Sequence, residues 1–226
     1  MNASFLDKMS NDKELADLEE IGILVTGLAS KFIEESQYPL VVKADGLAAG
    51  KGVRVCQSHN EASEFLKFVM EDKIFAKSGD KVVIEEFLEG EEASFFIFTD
   101  GKTILPLDSS QDHKRLLDDD FGPNTGGMGA YSPAPLVDDE TKENIMNEIV
   151  KPVFAGFKKD KINYTGVLYI GLMINKKRPK VVEFNCRFGD PETQPLLYRL
   201  DSDGFDLFYM TANENLADYK LKWKEK

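Results

Sequence analysis

An α+β architecture in two lobes is the fold class this sequence predicts, on three observations. Segments with two-residue alternation and segments with helical periodicity follow one another without the regular spacing of βαβ units. Strand-like runs are joined by short turns of the antiparallel kind, Asp100-Gly101 being the clearest. A length of 226 residues with 42% hydrophobic content suffices for one large domain or two small lobes, each with a core.

Residues 11–20 (NDKELADLEE) read as a short acidic helix, and residues 1–30 carry no assignable function. From Pro39 the pattern sharpens. PLVVKA (39–44) is a strand, ADGLAAGKG (44–52) a loop, and GVRVC (52–56) a second strand. Ala62, Phe65, Leu66 and Val69 recur at helical spacing and predict an amphipathic helix over 60–71. KVVIEEFL (81–88) and EEASFFIFT (91–99) are strands, and Asp100-Gly101 turns the second into KTILPL (102–107). Residues 108–135, rich in Gly, Pro, Asn and Ser and without periodicity, predict a loop of a length that in compact domains signals function or disorder. A helix follows over 139–159, broken or kinked at Pro152. YTGVLYIGLMIN (164–175) and PKVVEFN (179–185) form a further hairpin, and DPETQPLLYRL (190–200) opens a helix with Asp190 at the cap and Pro191 at its first position.

The formal net charge of -12 argues against a nucleic-acid partner, so phosphates of any nucleotide ligand must be met by a few placed cations and backbone amides. No run approaches the roughly 20 apolar residues of a membrane span, and the N-terminus has no signal-peptide core, which makes the cytoplasm the expected location. Cys56 and Cys186 stand far apart and outside any metal-ligand spacing, so both are expected to be reduced and structural. His59 precedes a predicted helix and reads as a surface residue.

Three elements could carry chemistry. In KADGLAAGKG (43–52), glycines allow close backbone approach to phosphate oxygens while Lys43 and Lys51 supply charge. It is neither a Walker A loop nor a dinucleotide fingerprint, and a glycine-rich hairpin without a ligand is the alternative. In IEEFLEGEEAS (84–94), an edge strand could pair with the polar rim of a purine while a carboxylate, Glu92 before Glu91, takes ribose hydroxyls. Solvent-facing strand glutamates are the alternative there. In VVEFNCRFGDPE (181–192), Glu183, Asn185 and Arg187 alternate onto one side, with Phe184 and Cys186 toward the core. A carboxylate and an amide oxygen are hard ligands suited to Mg²⁺, and Arg187 could fork onto a phosphoryl or carboxylate group; an ordinary exposed strand face is the alternative.

Six segments in order carry a resemblance: KADGLAAGKG, EEFLEGEEAS (85–94), SQDHKR (110–115), GPNTGGMGAYSPAP (122–135), YTGVLY (164–169) and EFNCRFGDPETQP (183–195). Over about residues 31–215 the chain resembles the phosphoribosylamine–glycine ligase family of the ATP-grasp superfamily. The resemblance implies two lobes of antiparallel sheet with flanking helices gripping ATP, a small lobe and hinge over 31–105 and a large lobe over 106–226. It implies condensation of glycine with 5-phosphoribosylamine through glycyl phosphate, with ATP and magnesium or manganese as cofactors. Lys43, Gly50, Lys51 and Gly52 would hold phosphates, Glu85, Glu86, Phe87 and Leu88 the adenine, and Glu92 the ribose. Glu183 and Asn185 would bind the metal, and Arg187 with Lys43 would serve catalysis. Asp112, His113, Lys114, Gly126, Gly127 and Gly129, with Arg187, would bind the acceptor substrate. The family's N-terminal and C-terminal domains are absent from this chain and would be supplied by other segments, so weak ATP binding and slow turnover are expected of it alone. Another ATP-grasp carboxylate–amine ligase, and a nucleotide-binding module without chemistry, are the competing readings.

Overall fold

A computed structural model describes residues 21–48, 51–118, 121–125 and 127–224. The acidic helix expected at 11–20, and the expected ligand residues Gly50 and Gly126, lie outside the described residues. The chain divides into two compact units, Met1–Phe87 and Leu88–Lys226.

In the first unit, helix α1 (Ile21–Glu34) is followed by strand β1 (Leu40–Ala44), β2 (Val53–Cys56), helix α2 (His59–Leu66) with a π-helical turn at Lys67–Glu71, a 3-10 turn at Ala76–Gly79, and β3 (Val82–Glu86). The three strands form an antiparallel sheet in the order β2-β1-β3, so β3 is an edge strand. Ala62, Phe65, Leu66 and Val69, the residues whose spacing predicts the helix, are all buried and pack with Leu40, Val42 and Cys56 in one core. Ser58 starts α2 by accepting a hydrogen bond from the Glu61 amide.

In the second unit, β4 (Glu91–Thr99), β5 (Ile104–Pro106), β10 (Gly166–Asn175) and β11 (Arg178–Asn185) form an antiparallel sheet in the order β11-β10-β4-β5. The sequence reading places its boundary after residue 105, whereas the compact units part at Phe87 and Leu88. The ladder of β4 against β10, running from Glu91–Ile174 to Thr99–Gly166, ties β4 and β5 to the second unit. Residues 93–99 of β4 are buried on both faces because each face is covered. One face packs on α3 (Asp139–Ile145), a π-helical turn (Met146–Val150) and α4 (Lys151–Lys159). The other packs on α5 (Thr193–Arg199), α6 (Gly204–Ala212) and the segment through Trp223. The helical run from Asp139 to Lys159 is continuous, with a π-helical turn in place of the expected break or kink, and Pro152 stands in the first turn of α4.

Residues 108–135 are more ordered than their sequence predicts. β6 (Gln111–Asp112) pairs with β9 (Ala130–Tyr131), and β7 (Arg115–Leu117) pairs with β8 (Phe121–Asn124), so the expected long loop is a nested hairpin. Its ladders are too short for alternation to register. The helix expected to open at Asp190 begins at Thr193; the Asp190–Pro191 peptide is cis, and the residue at the helix entry is Glu192, whose side chain is turned inward. Among the described residues no helix is long and apolar enough to cross a membrane.

Candidate active site

Strand pairing assembles a polar face in the second unit. Directly paired residues share a face of a sheet, and Gly171 of β10 is opposite both Ser94 of β4 and Glu183 of β11. Tyr169 is opposite Asn185, and Met173 opposite Glu92, which places Glu92, Ser94, Tyr169, Glu183 and Asn185 on one side. Glu183 reaches that side through a bulge: Leu172 pairs with Val181 and Gly171 with Glu183, leaving Val182 as the extra residue. Val181 packs into the core beside α3 and α4, while Glu183, two positions on, faces the other way.

A pocket of about 100 Å³ opens on this face, lined by Glu92, Ser94, Asp112, Lys114, Tyr169, Gly171 and Glu183 among others. Gly171 makes room for it, since a Cβ there would meet Glu183 Cγ at 3.1 Å and Tyr169 Cε1 at 3.3 Å. Lys114 Nζ donates to Glu92 Oε2 at 2.6 Å. Burial would lower the Lys114 ammonium, but the Glu92 carboxylate bonded to it holds it above its ordinary value. Asn185 Nδ2 donates to Glu183 Oε1 at 2.9 Å, so these two are adjacent as the alternation predicts.

Behind the pocket lies a buried carboxylate that the sequence reading passed over. Glu192 is 4% exposed and accepts from Ser94 Oγ at 2.9 Å, while Tyr169 OH lies 3.0 Å from Ser94 Oγ and 3.4 Å from Glu192 Oε1. Burial and then the Glu192 charge push the Tyr169 phenol up to about 12 against the hydrogen bond from Ser94. A side chain at Gly189 would collide with the Glu192 carboxylate, so the Gly189-Asp190-Pro191-Glu192 turn is folded over its own last residue. Asp112 is raised above the usual carboxylate range by burial and by Glu192, with Glu92 adding to the rise and Lys114 and His113 opposing it.

The remaining expected residues fall elsewhere. Arg187 does not continue the alternation, because β11 ends at Asn185 and the chain bends; its guanidinium is exposed and donates to the Phe188 carbonyl at 2.8 Å. Phe184 and Cys186, expected in the core, are exposed, Phe184 by 44%, because β11 is the edge of its sheet and stops there. The His113 ring lies 5.2 Å from that of Tyr131, and its backbone amide bonds the Gly129 carbonyl. The Gly127 amide donates to Thr125 Oγ1 at 3.1 Å. In the first unit Lys43 is ion-paired with Glu85. The Gly46 and Lys51 amides are used within the loop's own surroundings, on the carbonyls of Ser78 and Ala48. Gly46 and Gly52 are demanded by packing: a Cβ would stand 2.6 Å from Ser78 Cα at the first and 2.5 Å from Ala48 Cβ at the second. Phe87 is half-exposed, and Glu85 to Leu88 occupy the end of β3 and the junction of the two units in the chain.

Residues 22–193 match the model for the phosphoribosylglycinamide synthetase ATP-grasp (A) domain. The chain belongs to this family. It is 52% identical over 196 residues to phosphoribosylamine–glycine ligase of Vibrio parahaemolyticus, covering 86% of this chain and 46% of that protein. Against the same enzyme of Salmonella typhi the figures are 49% over 199 residues, 88% and 46%. The chain therefore spans about half the length of the curated relatives it matches. Among solved structures it is similar to phosphoribosylamine–glycine ligase of Thermotoga maritima, at 35% identity and a TM-score of 0.72 over 88% of this chain and 49% of that one. A likeness of fold extends to the biotin carboxylase domain of 2-oxoglutarate carboxylase from Hydrogenobacter thermophilus, solved with MgADP, at 16% identity and a TM-score of 0.62 over 84% of this chain and 40% of that one. The ATP-grasp fold and the α+β class expected from sequence are those of the family.

Proposed function

We propose that this chain is the nucleotide- and substrate-handling part of an ATP-dependent carbon–nitrogen ligase that joins glycine to 5-phosphoribosylamine, giving glycinamide ribonucleotide, ADP and phosphate. The observation that carries the proposal is the pocket of the second unit, where Glu92, Asp112, Lys114 and Glu183 converge in a chain about half identical to enzymes of that name.

A free carboxylate is a poor acyl donor, so glycine would first be phosphorylated by ATP to glycyl phosphate. The amine of phosphoribosylamine then attacks the acyl carbon and phosphate leaves. No nucleophile of the protein is consumed, and its work is orientation and charge stabilisation. Lys43, Lys51 and Gly52 are assigned to the phosphates, Glu85, Glu86, Phe87 and Leu88 to the adenine, and Glu92 to the ribose. Arg187 is assigned to the phosphoryl group or the glycine carboxylate. Asp112, His113, Lys114, Gly127 and Gly129 are assigned to the acceptor.

The donor set on β11 fits a magnesium ion. The hydrogen bond from Asn185 Nδ2 to Glu183 leaves Asn185 Oδ1 and Glu183 Oε2 as hard oxygens two positions apart on one face. Among the described residues no group of three or more His, Cys, Asp and Glu could hold a metal by itself. Magnesium suits such a sparse set, since it takes one or two carboxylates and completes its shell with phosphate and water. When bound, it neutralises phosphate oxygens and so eases phosphoryl transfer.

Calorimetric titration with ATP, with and without Mg²⁺, tests the nucleotide assignment. Release of ADP with glycine plus phosphoribosylamine, compared with other acid and amine pairs, tests the substrates. Faster turnover with a different pair would assign the chain to another carboxylate–amine ligase, and Mg²⁺-dependent binding without ADP release under any pair would make it a binding module.

A further inference from the structure

The hairpin that carries His113 and Lys114 is gripped at its neck by a single side chain of α5. Arg199 Nη1 donates to Asp108 Oδ2 on the incoming leg and to Ser132 Oγ on the outgoing leg, the second at 3.0 Å. The two legs are themselves joined there. Ser132 Oγ donates to the Ser109 carbonyl at 2.7 Å, the Ala134 amide to Ser109 Oγ at 3.0 Å, and Ser110 Oγ to the Tyr131 carbonyl at 2.9 Å. The Trp223 ring centroid lies 5.5 Å from Arg199 Cζ, which suits a planar cation. Arg199 Nε, however, is buried without a hydrogen-bond partner among the described residues, which is unfavourable for an N–H group. The contacts on Nη1 therefore hold the guanidinium in place, and they are partly buried, where a charge-assisted bond is stronger than on an open surface.

Two attachment points fix a direction, whereas one leaves a pivot. The first point is backbone: Ser110 and Ser94 of β4 exchange amide-to-carbonyl bonds in both directions, at 2.8 and 2.9 Å. Arg199 is the second. Beyond the neck the strands are only two to four residues long. The hairpin meets the rest of the unit there through the partly solvated Lys114–Glu92 ion pair and through Gly127, where a Cβ would stand 2.7 Å from Pro191 Cδ. A solvated ion pair is too weak to set the direction by itself. α5 braces both walls of the pocket, since Glu192 at its entry accepts from Ser94 and Tyr169 and Arg199 at its end holds the neck.

We infer that Arg199 is a positioning residue of the site: through Asp108 and Ser132 it sets the direction in which the 108–135 hairpin leaves the sheet, and so the placement of Lys114 against Glu92. The inference deepens the ligase reading and rests on it only for the identity of the ligand that the hairpin takes.

Backbone amide resonances of the full chain are compared with those of Arg199→Met and Asp108→Asn. Both variants are expected to move the resonances of Asp112 to Lys114 and of Gly127 to Ala130, while Leu172 to Ile174 and the strands of the first unit stay in place and the melting temperature falls by only a few degrees. Calorimetry is expected to show ribose 5-phosphate, which has the sugar and phosphate of the acceptor, binding roughly tenfold more weakly to Arg199→Met, with MgATP affinity unchanged. The double variant loses no more than Arg199→Met alone, because both substitutions break the same contact. Unmoved hairpin resonances in Arg199→Met, affinities for ribose 5-phosphate and MgATP that fall together with the melting temperature, or losses that multiply in the double variant overturn the inference. If Arg199→Met does not fold, Asp108→Asn, which keeps the guanidinium beside Trp223, decides by the same resonances. A native chain that binds no ribose 5-phosphate would count against the acceptor assignment, and the hairpin resonances would still decide the role of Arg199.

Discussion

Glu183 faces the pocket because Val182 is left over when β11 pairs with β10, and a single inserted residue reverses which side of a strand its successors occupy. Alternation in the sequence reads Glu183 and Asn185 as neighbours, which they are, but it registers neither the bulge before them nor the end of an edge strand, where Phe184 and Cys186, read as core residues, are exposed. The space in front of Glu183 depends on Gly171, which sits in extended backbone where alanine is conformationally acceptable. Gly171→Ala is expected to displace the carboxylate with little loss of melting temperature and to weaken ATP binding severalfold in the presence of Mg²⁺ but not in its absence, as calorimetry would read. At Asp112, burial and the Glu192 charge both favour the protonated acid, with Glu92 on the same side and Lys114 and His113 opposed. Glu192→Gln removes one negative neighbour and lowers the Asp112 pKa. The midpoint at which the Asp112 carboxyl carbon resonance titrates should then fall in that variant, and an unchanged midpoint would separate Glu192 from Asp112. Glu192 and its partners Ser94 and Tyr169 were unreadable in advance because a buried glutamate looks like any other in sequence; its place beside the Gly189-Asp190-Pro191 turn was the available signal.

Among the elements, the β4–β5 hairpin shows how a readable turn conceals an unreadable contact. Asp100-Gly101 announces the turn, and Gly101 adopts a φ of 87° that favours glycine. What sequence does not announce is that Asp100, only 2% exposed, receives the Lys102 and Thr103 amides on Oδ1 and the Leu216 amide on Oδ2, at 3.0, 2.7 and 3.0 Å. Burial alone would raise this carboxyl; the backbone donors outweigh it and hold it below the usual carboxylate range. A lowered folded-state value means that the charged form stabilises the fold above the unfolded pKa of about 4 and that this contribution is lost as pH falls through the folded value. Asp100→Ala strands three donors and is expected to cost roughly 1–3 kcal/mol at pH 7. Denaturant titrations should show the gap between native and variant closing as pH falls below about 4. The hairpin at 111–131 was unreadable for a different reason. Ladders of two to four residues carry no periodicity, and their order comes from bonds such as Thr125 to the Lys114 carbonyl and Met128 to the His113 carbonyl.

For the molecule as a whole, the order of strands and helices was readable because long apolar runs such as Phe95 to Phe98, each fully buried, leave few alternatives. The nucleotide assignment draws on both compact units, Lys43 in the first and Glu183 in the second. Lys43 is already ion-paired with Glu85, so Lys43→Met removes the ammonium and also leaves the Glu85 carboxylate unneutralised beside the proposed phosphate position. Losing one charge-assisted hydrogen bond to phosphate corresponds to roughly 1.5–3 kcal/mol, and about tenfold in MgATP affinity is the lower end of that range. Glu183→Gln weakens the metal set and should cost a comparable factor in Mg²⁺ alone. The decisive quantity is the double variant. If one triphosphate engages both groups, the combined loss falls short of the product of the single losses, because either substitution already loosens the phosphates from the other group. Strictly multiplicative losses, measured by calorimetry at fixed Mg²⁺, would mean that Lys43 and Glu183 do not serve the same nucleotide, and the ligase proposal would fail with them.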